Sequence, residues 1–186
     1  MSTIAATTST FRISGLPLAP FTPLFAWSDA ELSAHGMRRV VADEHPGFPC
    51  RVSLVDAQPG ETLILRNYTH HDVDGPYRAS GPIYVRDRAT PADIAPGDVP
   101  DLVRRRLLSL RAYDAAGMLR EADVAEGREL PALVARMFAD AGVAYIHVHN
   151  ARPGCYSCRI DRAPGWVAAR RQANPPPAGA RNVRFP

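Results

Sequence analysis

The sequence predicts an α+β fold: a mainly antiparallel β-sheet, one main helix packed on one face of it, and a short N-terminal helix. Three observations support this prediction. Predicted strands outnumber predicted helices, and short turns rather than helical crossovers join successive strands. Only the segment 129–139 carries a long apolar stripe at helical spacing. A chain of 186 residues is long enough for one domain, which we place at residues 11–162.

The N-terminal quarter of the chain predicts a flexible tail, a strand, a short helix and a second strand. Residues 1–10 are the tail, and the alternation of Phe11–Ser14 predicts the first strand. The proline-rich segment 15–23 predicts an extended linker. Ser28 and Glu31 form a capping-box pattern, so a helix is expected to begin there and to end before Gly36. The segment 37–42 predicts the second strand.

The middle of the chain predicts a series of strands and one long polar loop. The predicted strands cover residues 51–55, 62–68, 82–86, 107–113 and 118–124, with a helical turn at 99–105. The last two strands are joined by a hairpin turn at 114–117. The loop at 69–81 is too long for a simple hairpin, and long loops on a rigid scaffold often carry binding groups.

The C-terminal part predicts the main helix, two further strands and a second tail. Five apolar residues share one face of the helix: Leu130, Leu133, Val134, Met137 and Phe138. Strands are expected at 143–150 and 155–160. The segment 163–186 is rich in proline, alanine and arginine, which predicts an extended or flexible tail.

Composition excludes several classes of function. The net charge is +3, and all 22 basic residues are arginine. The run Arg104–Arg106 lacks interleaved aromatic residues, so it predicts a solvated face rather than a nucleic-acid site. We expect no membrane partner, because no apolar run is long enough to span a bilayer and no secretory signal is present. Three cysteines do not form a disulfide framework, which favours a reducing cytoplasm. The oligomeric state is left open.

Reactive residue types concentrate in the segment 145–159. Side chains alternate along a strand, so Tyr145, His147 and His149 point to one face while Ile146 and Val148 point to the other. In the hairpin, a similar alternation places Ser109, Arg111 and Tyr113 on one face of the first strand. It places Glu121 and Asp123 together on one face of the second strand. We therefore expect a polar sheet face that brings together histidines, tyrosines, an arginine and carboxylates.

The leading hypothesis for this face is thiol and histidine chemistry. Cys155 follows a tight turn and would be the nucleophile or redox thiol, with His149 as its base. Asn150 would orient that base or donate to an oxyanion, and Arg152 and Arg159 would favour the thiolate and an anionic substrate. The alternative is that the cysteines are small buried residues, which we favour for Cys50 and Cys158. The Cys155-x-x-Cys158 spacing also matches a redox pair, but it lies at a strand start rather than a helix start.

A mononuclear metal site is the second enzyme hypothesis. His147 and His149, two residues apart on a strand, can chelate one ion. A third ligand would come from elsewhere, and the candidates are His70, His71, Glu121, Asp123 and Cys155. The sequence alone leaves open whether both histidines are instead hydrogen-bonded structural groups.

The long loop supplies candidate substrate-binding residues. His70, Tyr77 and Arg78 would form a lid or clamp, and Arg78 and Arg111 would hold an anion. Together these residues predict a small cytoplasmic enzyme with a small anionic substrate; no cofactor is indicated. A non-catalytic ligand-binding module that uses the same face is the competing class.

Several separate segments, in order, resemble one protein family. They are Glu44-His-Pro-Gly-Phe-Pro-Cys-Arg-Val-Ser-Leu54, Asn67-Tyr-Thr-His70, Pro76-Tyr-Arg-Ala-Ser-Gly-Pro-Ile-Tyr-Val85, Leu110-Arg-Ala-Tyr-Asp114 and His147-Val-His-Asn-Ala-Arg-Pro-Gly-Cys155. They are similar to the bacterial domain-of-unknown-function family 1203, over roughly residues 11–162. The resemblance implies a single-domain bacterial protein of about this length. It implies no activity, cofactor or catalytic residue.

Overall fold

A computed structural model describes residues 11–163, which form two antiparallel sheets and three short helices. The elements in chain order are β1 (Phe11–Ser14), α1 (Asp29–Ala34), β2 (Arg38–Val41), β3 (Thr62–His71), β4 (Ala79–Arg86), α2 (Asp101–Arg104), β5 (Leu107–Tyr113), β6 (Leu119–Glu126), α3 (Leu130–Met137), β7 (Tyr145–Asn150) and β8 (Tyr156–Arg162). Short 3₁₀ turns precede α1 at Thr22–Ala26 and α3 at Gly127–Glu129.

The larger sheet has five strands in the order β1-β8-β7-β5-β6, and the smaller has three in the order β2-β3-β4. Every pair of neighbouring strands is antiparallel. This agrees with the predicted α+β class and its antiparallel pairing. The prediction of one sheet is wrong, because β2, β3 and β4 pair only with one another among the named strands of the described chain.

The main hydrophobic core lies between the larger sheet and α3. The stripe of α3 buries Leu130, Val134 and Met137 completely. They belong to one cluster with Leu110 of β5 and Val148 of β7. Burying several such side chains, at about 1.5–3 kcal/mol each, offsets much of the chain entropy lost on folding.

A second core lies beneath the smaller sheet. Ile64 and Ile83, on neighbouring strands, pack with Phe21 and Leu32 of the N-terminal segment. Tyr156 of the larger sheet belongs to the same cluster. The second core therefore links the two sheets on the side of the larger sheet that faces away from α3.

Two local predictions have informative outcomes. The capping box is present, because the Ser28 hydroxyl accepts from the backbone N–H of Glu31 while the Glu31 carboxylate accepts from the N–H of Ser28. The prediction of a strand at 51–55 is wrong. Its backbone turns back on itself: the N–H of Leu54 donates to the Cys50 carbonyl, and Leu54 has a φ of 52°. The predicted tails, 1–10 and 163–186, lie outside the described residues apart from Ala163.

The described residues contain no helix that is both long enough and apolar enough to cross a membrane. Among residues 11–163 the longest helix is α3, with eight residues.

Candidate functional site

The polar face of the larger sheet forms as the alternation predicts. In the register of β5 and β7, Arg111 lies opposite His147 and Tyr113 lies opposite Tyr145. Both β7 histidines are deeply buried, with exposed fractions of 2% for His147 and 1% for His149. The sheet therefore carries two imidazoles into the interior, on the side away from α3.

The end of β3 brings two more histidines onto this face. The pairing of β3 with β4 is irregular between Thr69 and His71. Such a bulge changes the direction of a side chain, so consecutive residues can contact the same surface. The His70 ring centroid lies 5.1 Å from that of His149, and the His71 centroid lies 5.0 Å from that of His147. We call His70, His71, His147 and His149 the imidazole cluster.

His71 has a hydrogen-bond partner at each ring nitrogen. Its Nδ1 lies 2.7 Å from the backbone carbonyl oxygen of Tyr77, which can only accept, so Nδ1 carries the proton. Its Nε2 then accepts from the Tyr145 hydroxyl at 2.8 Å. The prediction of a loop at 69–81 is wrong, because β3 and β4 pair as far as His71 and Ala79 and leave only residues 72–78 as their connection. That connection contacts the cluster through the Tyr77 carbonyl, and His71 has the pattern of a structural histidine.

The other three members of the cluster each keep a buried nitrogen without a hydrogen-bond partner in the described chain. These atoms are Nδ1 of His70, Nδ1 of His147 and Nε2 of His149. His149 donates its Nδ1 proton to the Gly154 carbonyl at 3.1 Å, which leaves Nε2 as an acceptor. Buried polar atoms normally have partners, so this group of atoms distinguishes the region from an ordinary core.

Burial keeps these three imidazoles neutral. Desolvation is the largest cause in each case, and it lowers the pKa of His70 to about 4, of His147 to about 2 and of His149 to about 3. The nearby positive charge of Arg111 lowers the pKa of His149 further. A group with such a pKa is a weak base at neutral pH.

The geometry does not favour the metal hypothesis. Within residues 11–163, no group of three or more histidine, cysteine, aspartate or glutamate side chains is arranged to hold a metal ion. The placement of Glu121 and Asp123 on the histidine face is wrong. Asp123 lies opposite Leu110 in the strand register, and both carboxylates pair with Arg136 of α3 on the other face.

Cys155 lies in the turn between β7 and β8, and its sulfur receives two hydrogen bonds. Arg51 donates from Nη2 at 3.0 Å, and Asn150 donates from Nδ2 at 3.3 Å. In the described chain no hydrogen bond joins this sulfur to His149, whose Nδ1 proton goes to Gly154. The expected thiol–imidazole pair is therefore replaced by a thiol–guanidinium pair.

Arg51 is the residue that the sequence reasoning missed. Only 1% of its surface is exposed, and it also donates from Nε to the Tyr156 carbonyl at 2.8 Å and from Nη1 to the Pro49 carbonyl. No carboxylate of the described residues pairs with it. Burial lowers the pKa of its guanidinium, whereas the neighbouring Cys155 raises it. Arg51 lies within a segment that resembles the family, but the predicted strand at 51–55 gave no reason to place it at Cys155.

The backbone around Arg51 explains how it reaches the sulfur. Its N–H donates to the Tyr84 carbonyl of β4 at 3.0 Å, and its own carbonyl accepts from Leu16 at 2.7 Å. Gly15 allows this approach, because a Cβ there would lie 2.8 Å from the Arg51 oxygen. The turn at 51–55 is thus anchored between the smaller sheet and the N-terminal segment.

A cavity of about 520 Å³ opens beside Cys155, and we call it the basic cavity. Its lining residues are Gly47, Pro49, Arg51, Tyr84, Arg105, Arg106, Leu107, Glu126, Asn150, Arg152, Pro153 and Cys155. Arg105 and Arg106 come from the run that was expected to be a solvated face, and Arg106 is fixed by the Asp56 carboxylate at 2.5 and 3.0 Å. Four arginines and one glutamate give the wall of this cavity a positive character.

A second cavity of about 190 Å³ is also lined by Cys155, and we call it the imidazole chamber. Its lining residues are His70, Ala79, Ser80, Gly81, Pro82, Arg111, His149, Pro153, Gly154, Cys155 and Tyr156. The predicted residues His70, Arg111 and His149 meet here. His147 lines neither cavity, although its ring contacts those of His70 and His149.

Two predicted anion-binding arginines lie elsewhere. Arg78 is 62% exposed and pairs with Asp72 at 2.8 Å, and it lines neither cavity. Arg159 lies over the Tyr145 ring at 3.9 Å and pairs with Asp161 at 2.8 Å. Both guanidinium groups therefore already have partners.

The other cysteines are structural. Cys158 lies opposite Val148, inside the core beneath α3, where burial raises the pKa of its thiol to about 12. Cys50 is completely buried in the second core. Because Cys158 belongs to the core while Cys155 lines the cavities, the Cys155-x-x-Cys158 spacing does not form a redox pair in this fold.

Fold and site together define a two-sheet α+β protein in which a cysteine, held by a buried arginine, lies between a basic cavity and a cluster of neutral imidazoles. The family model described as "Protein of unknown function (DUF1203)" matches residues 47–162. The chain belongs to this family, as the resemblance implied. No curated protein and no solved structure matches the chain. The matched range contains Arg51, Cys155 and the whole imidazole cluster.

Proposed function

We propose that this protein is an enzyme that acts on a small anionic molecule, with Cys155 as the reacting thiol. One observation carries the proposal. Arg51, which is 1% exposed, has no carboxylate partner in the described chain and donates to the Cys155 sulfur at 3.0 Å. A buried cation without a counter-ion is strongly disfavoured. A thiolate at that distance would supply the missing negative charge.

The environment of the sulfur supports a thiolate rather than a thiol. A guanidinium and a neutral amide donate to it, and both hydrogen bonds strengthen when the acceptor is negatively charged. Thiolates are the nucleophilic form of cysteine, and positive groups nearby favour them. Asn150 would therefore stabilise the thiolate, in place of the expected role of orienting a histidine.

The basic cavity supports an anionic substrate. Arg105 and Arg152 are exposed at its wall, and among the described residues that line it Glu126 is the only carboxylate. Arginine binds carboxylates and phosphates through paired N–H donors. A substrate held there would lie beside the Cys155 sulfur.

His149 would act as a positioning residue. Its bond to the Gly154 carbonyl fixes the residue before Cys155, and its low pKa makes it a poor base at neutral pH. The three free cysteines fit a reducing compartment, so we place the protein in the bacterial cytoplasm.

Alkylation of Cys155 by iodoacetamide as a function of pH tests the proposal. Cys50 and Cys158 are completely buried, so the folded protein offers a single reactive thiol, and Cys155→Ser is the control. We expect Cys155 to react faster than free cysteine at pH 7, because the thiolate is the nucleophilic form. A rate no higher than that of free cysteine contradicts the proposal.

Arg51→Met, which removes the charge but keeps an apolar side chain, should slow alkylation of Cys155 at pH 7. Because Arg51 also holds the carbonyls of Pro49 and Tyr156, the variant can lose stability. Asn150→Ala provides a second test, with a smaller decrease in rate expected from the loss of one neutral donor.

A binding module remains the second candidate, and one observation favours it. In the described chain no base forms a hydrogen bond with the Cys155 sulfur, and the Nδ1 proton of His149 goes to the Gly154 carbonyl. Phosphate binding in the basic cavity, together with Cys155 alkylation at pH 7 no faster than that of free cysteine, would select this function.

A further inference from the structure

Cys155 and Pro153 line both the basic cavity and the imidazole chamber. We propose that these cavities form the two halves of one binding site, which holds a single ligand across the Cys155 sulfur. The ligand would carry a phosphate or carboxylate at one end and hydroxyl or amide hydrogen-bond donors at the other. This inference rests on the proposed function and names the class of its substrate.

The basic half selects the anionic end of the ligand. Arg152 is exposed and forms no ion pair in the described chain, so its guanidinium is free to bind. Arg106 already pairs with Asp56, which makes it part of the wall. In addition, the amide oxygen of Asn150 is buried without a partner although the residue lines the cavity and is only 6% exposed. An unsatisfied acceptor beside arginines indicates a ligand that also presents a donor.

The chamber has a different chemistry. His149 has an acceptor nitrogen without a partner, because its proton is already donated to Gly154, and His70 has a second unpartnered nitrogen. Both residues line the chamber. Neutral acceptors in a buried site select hydroxyl and amide donors, because a ligand without donors would leave the acceptors unpaired.

The size of the chamber limits that end of the ligand. A volume of 190 Å³ equals the share of about six water molecules in the liquid. It therefore suits a short hydroxylated or amide-bearing chain rather than a large ring system. The stacked rings of His70 and Tyr156, with centroids 4.9 Å apart, form a rigid wall there.

Protection of Cys155 from iodoacetamide tests the inference in the full chain. Glycerol phosphate and glycerate are the two-ended probes, and phosphate, acetate and glycerol represent the separate ends. At least one two-ended probe should protect Cys155 at a concentration about tenfold lower than the concentration of phosphate or acetate that gives the same protection. One or two additional buried hydrogen bonds account for a gain of this size. A comparison of the two two-ended probes then distinguishes a phosphate ligand from a carboxylate ligand.

Variants separate the two halves. Arg152→Gln should weaken protection about threefold, both for the two-ended probe and for its anion alone, because it removes one exposed ion pair. Arg38→Gln, which removes the same charge from an exposed position on β2, should change neither. His70→Phe should remove only the additional protection of the two-ended probe. Ser80→Leu, at the exposed edge of the chamber, should do the same without altering a buried residue.

The inference is overturned if the separate anion protects as well as the two-ended probe, or if no probe protects. The alkylation rate at pH 7 without ligand reports on the reactivity of the thiol by itself. Faster alkylation than that of free cysteine, without two-ended protection, would therefore leave the proposed thiol chemistry standing and remove only the two-ended substrate.

Discussion

The two faces of β7 are equally buried but are built in opposite ways. Toward α3, Ile146 and Val148 are completely buried in an apolar core. On the other face, His147 and His149 are 2% and 1% exposed, and each keeps a nitrogen without a hydrogen-bond partner in the described chain. Within one strand, alternate residues thus belong to a stabilising core and to a polar interior.

The difference separates a face that stabilises the fold from one that does not. Apolar burial stabilises the fold, whereas a buried polar atom without a partner destabilises it. A protein that keeps three such imidazoles, two of which line the imidazole chamber, departs from the rules of core packing at one place. Departures of this kind are expected at functional sites.

Acid should destabilise the polar face, and this is the largest effect that we expect. An unfolded histidine protonates near pH 6.5, but in the folded chain the pKa of His149 is about 3 and that of His147 about 2. Between these values the unfolded state binds more protons, so the free energy of unfolding falls as the pH falls. From pH 6.5 to 5, these two residues together account for up to about 4 kcal/mol, at about 1.4 per unit each.

Denaturant titrations at several pH values measure this loss. The loss begins as the pH falls below 6.5 and is complete only below the folded pKa values. His70, with a pKa of about 4, contributes in the same direction. A free energy of unfolding that stays constant from pH 7 to 5 would contradict a neutral buried cluster.

Leu110→Ala should have the next largest effect, on the apolar face. The side chain is completely buried beneath α3, and its loss should lower the free energy of unfolding by about 3 kcal/mol. Urea denaturation measures the change, and the rate of Cys155 alkylation at pH 7 should stay at its wild-type value. A changed alkylation rate in the folded variant would show that the two faces are not independent.

His71→Leu should lower the free energy of unfolding by about 2 kcal/mol. His71 satisfies the Tyr77 carbonyl and the Tyr145 hydroxyl, and the substitution leaves both groups without their partner. The same denaturation experiment measures the effect, and His147→Leu serves as the control, because both substitutions replace a buried imidazole by the same apolar side chain.

His147→Leu should have the smallest effect, within about 1 kcal/mol of the wild type at pH 7. It removes a buried nitrogen that has no partner, so the lost ring contacts are offset by the desolvation that is relieved. Its pH dependence should also be shallower by up to about 1.4 kcal/mol per unit below pH 6.5. If His71→Leu proves no more harmful than His147→Leu, the division into structural and functional histidines is wrong.

Much of the fold follows from local patterns in the sequence. The alternation in β5 and β7 correctly groups Arg111, Tyr113, His147 and His149. The capping box at Ser28 and the apolar stripe of α3 are equally local signals. In each case the interacting residues are a few positions apart, so a regular period is enough to reveal them.

The partners of Cys155 could not be found in this way. Arg51 is 104 residues away in the chain, on a turn that resembles a strand in its residue types. Asp123 alternates in phase with Glu121, but only the register with β5 decides that both face α3. The bulge at His70, which turns two consecutive histidines onto one surface, has no local signature either.

By itself, the sequence determined the α+β class, the burial pattern of most strands and the segment in which reactive residue types concentrate, because each depends on the spacing of neighbouring residues. Only the tertiary structure decided which groups that segment contacts. It gave Cys155 an arginine in place of a histidine, and it separated the four imidazoles into one with two partners and three that each lack a partner at one buried nitrogen. Contacts between distant segments control these outcomes, since hydrogen bonding and burial depend on which surfaces meet and not on the order of residues along the chain.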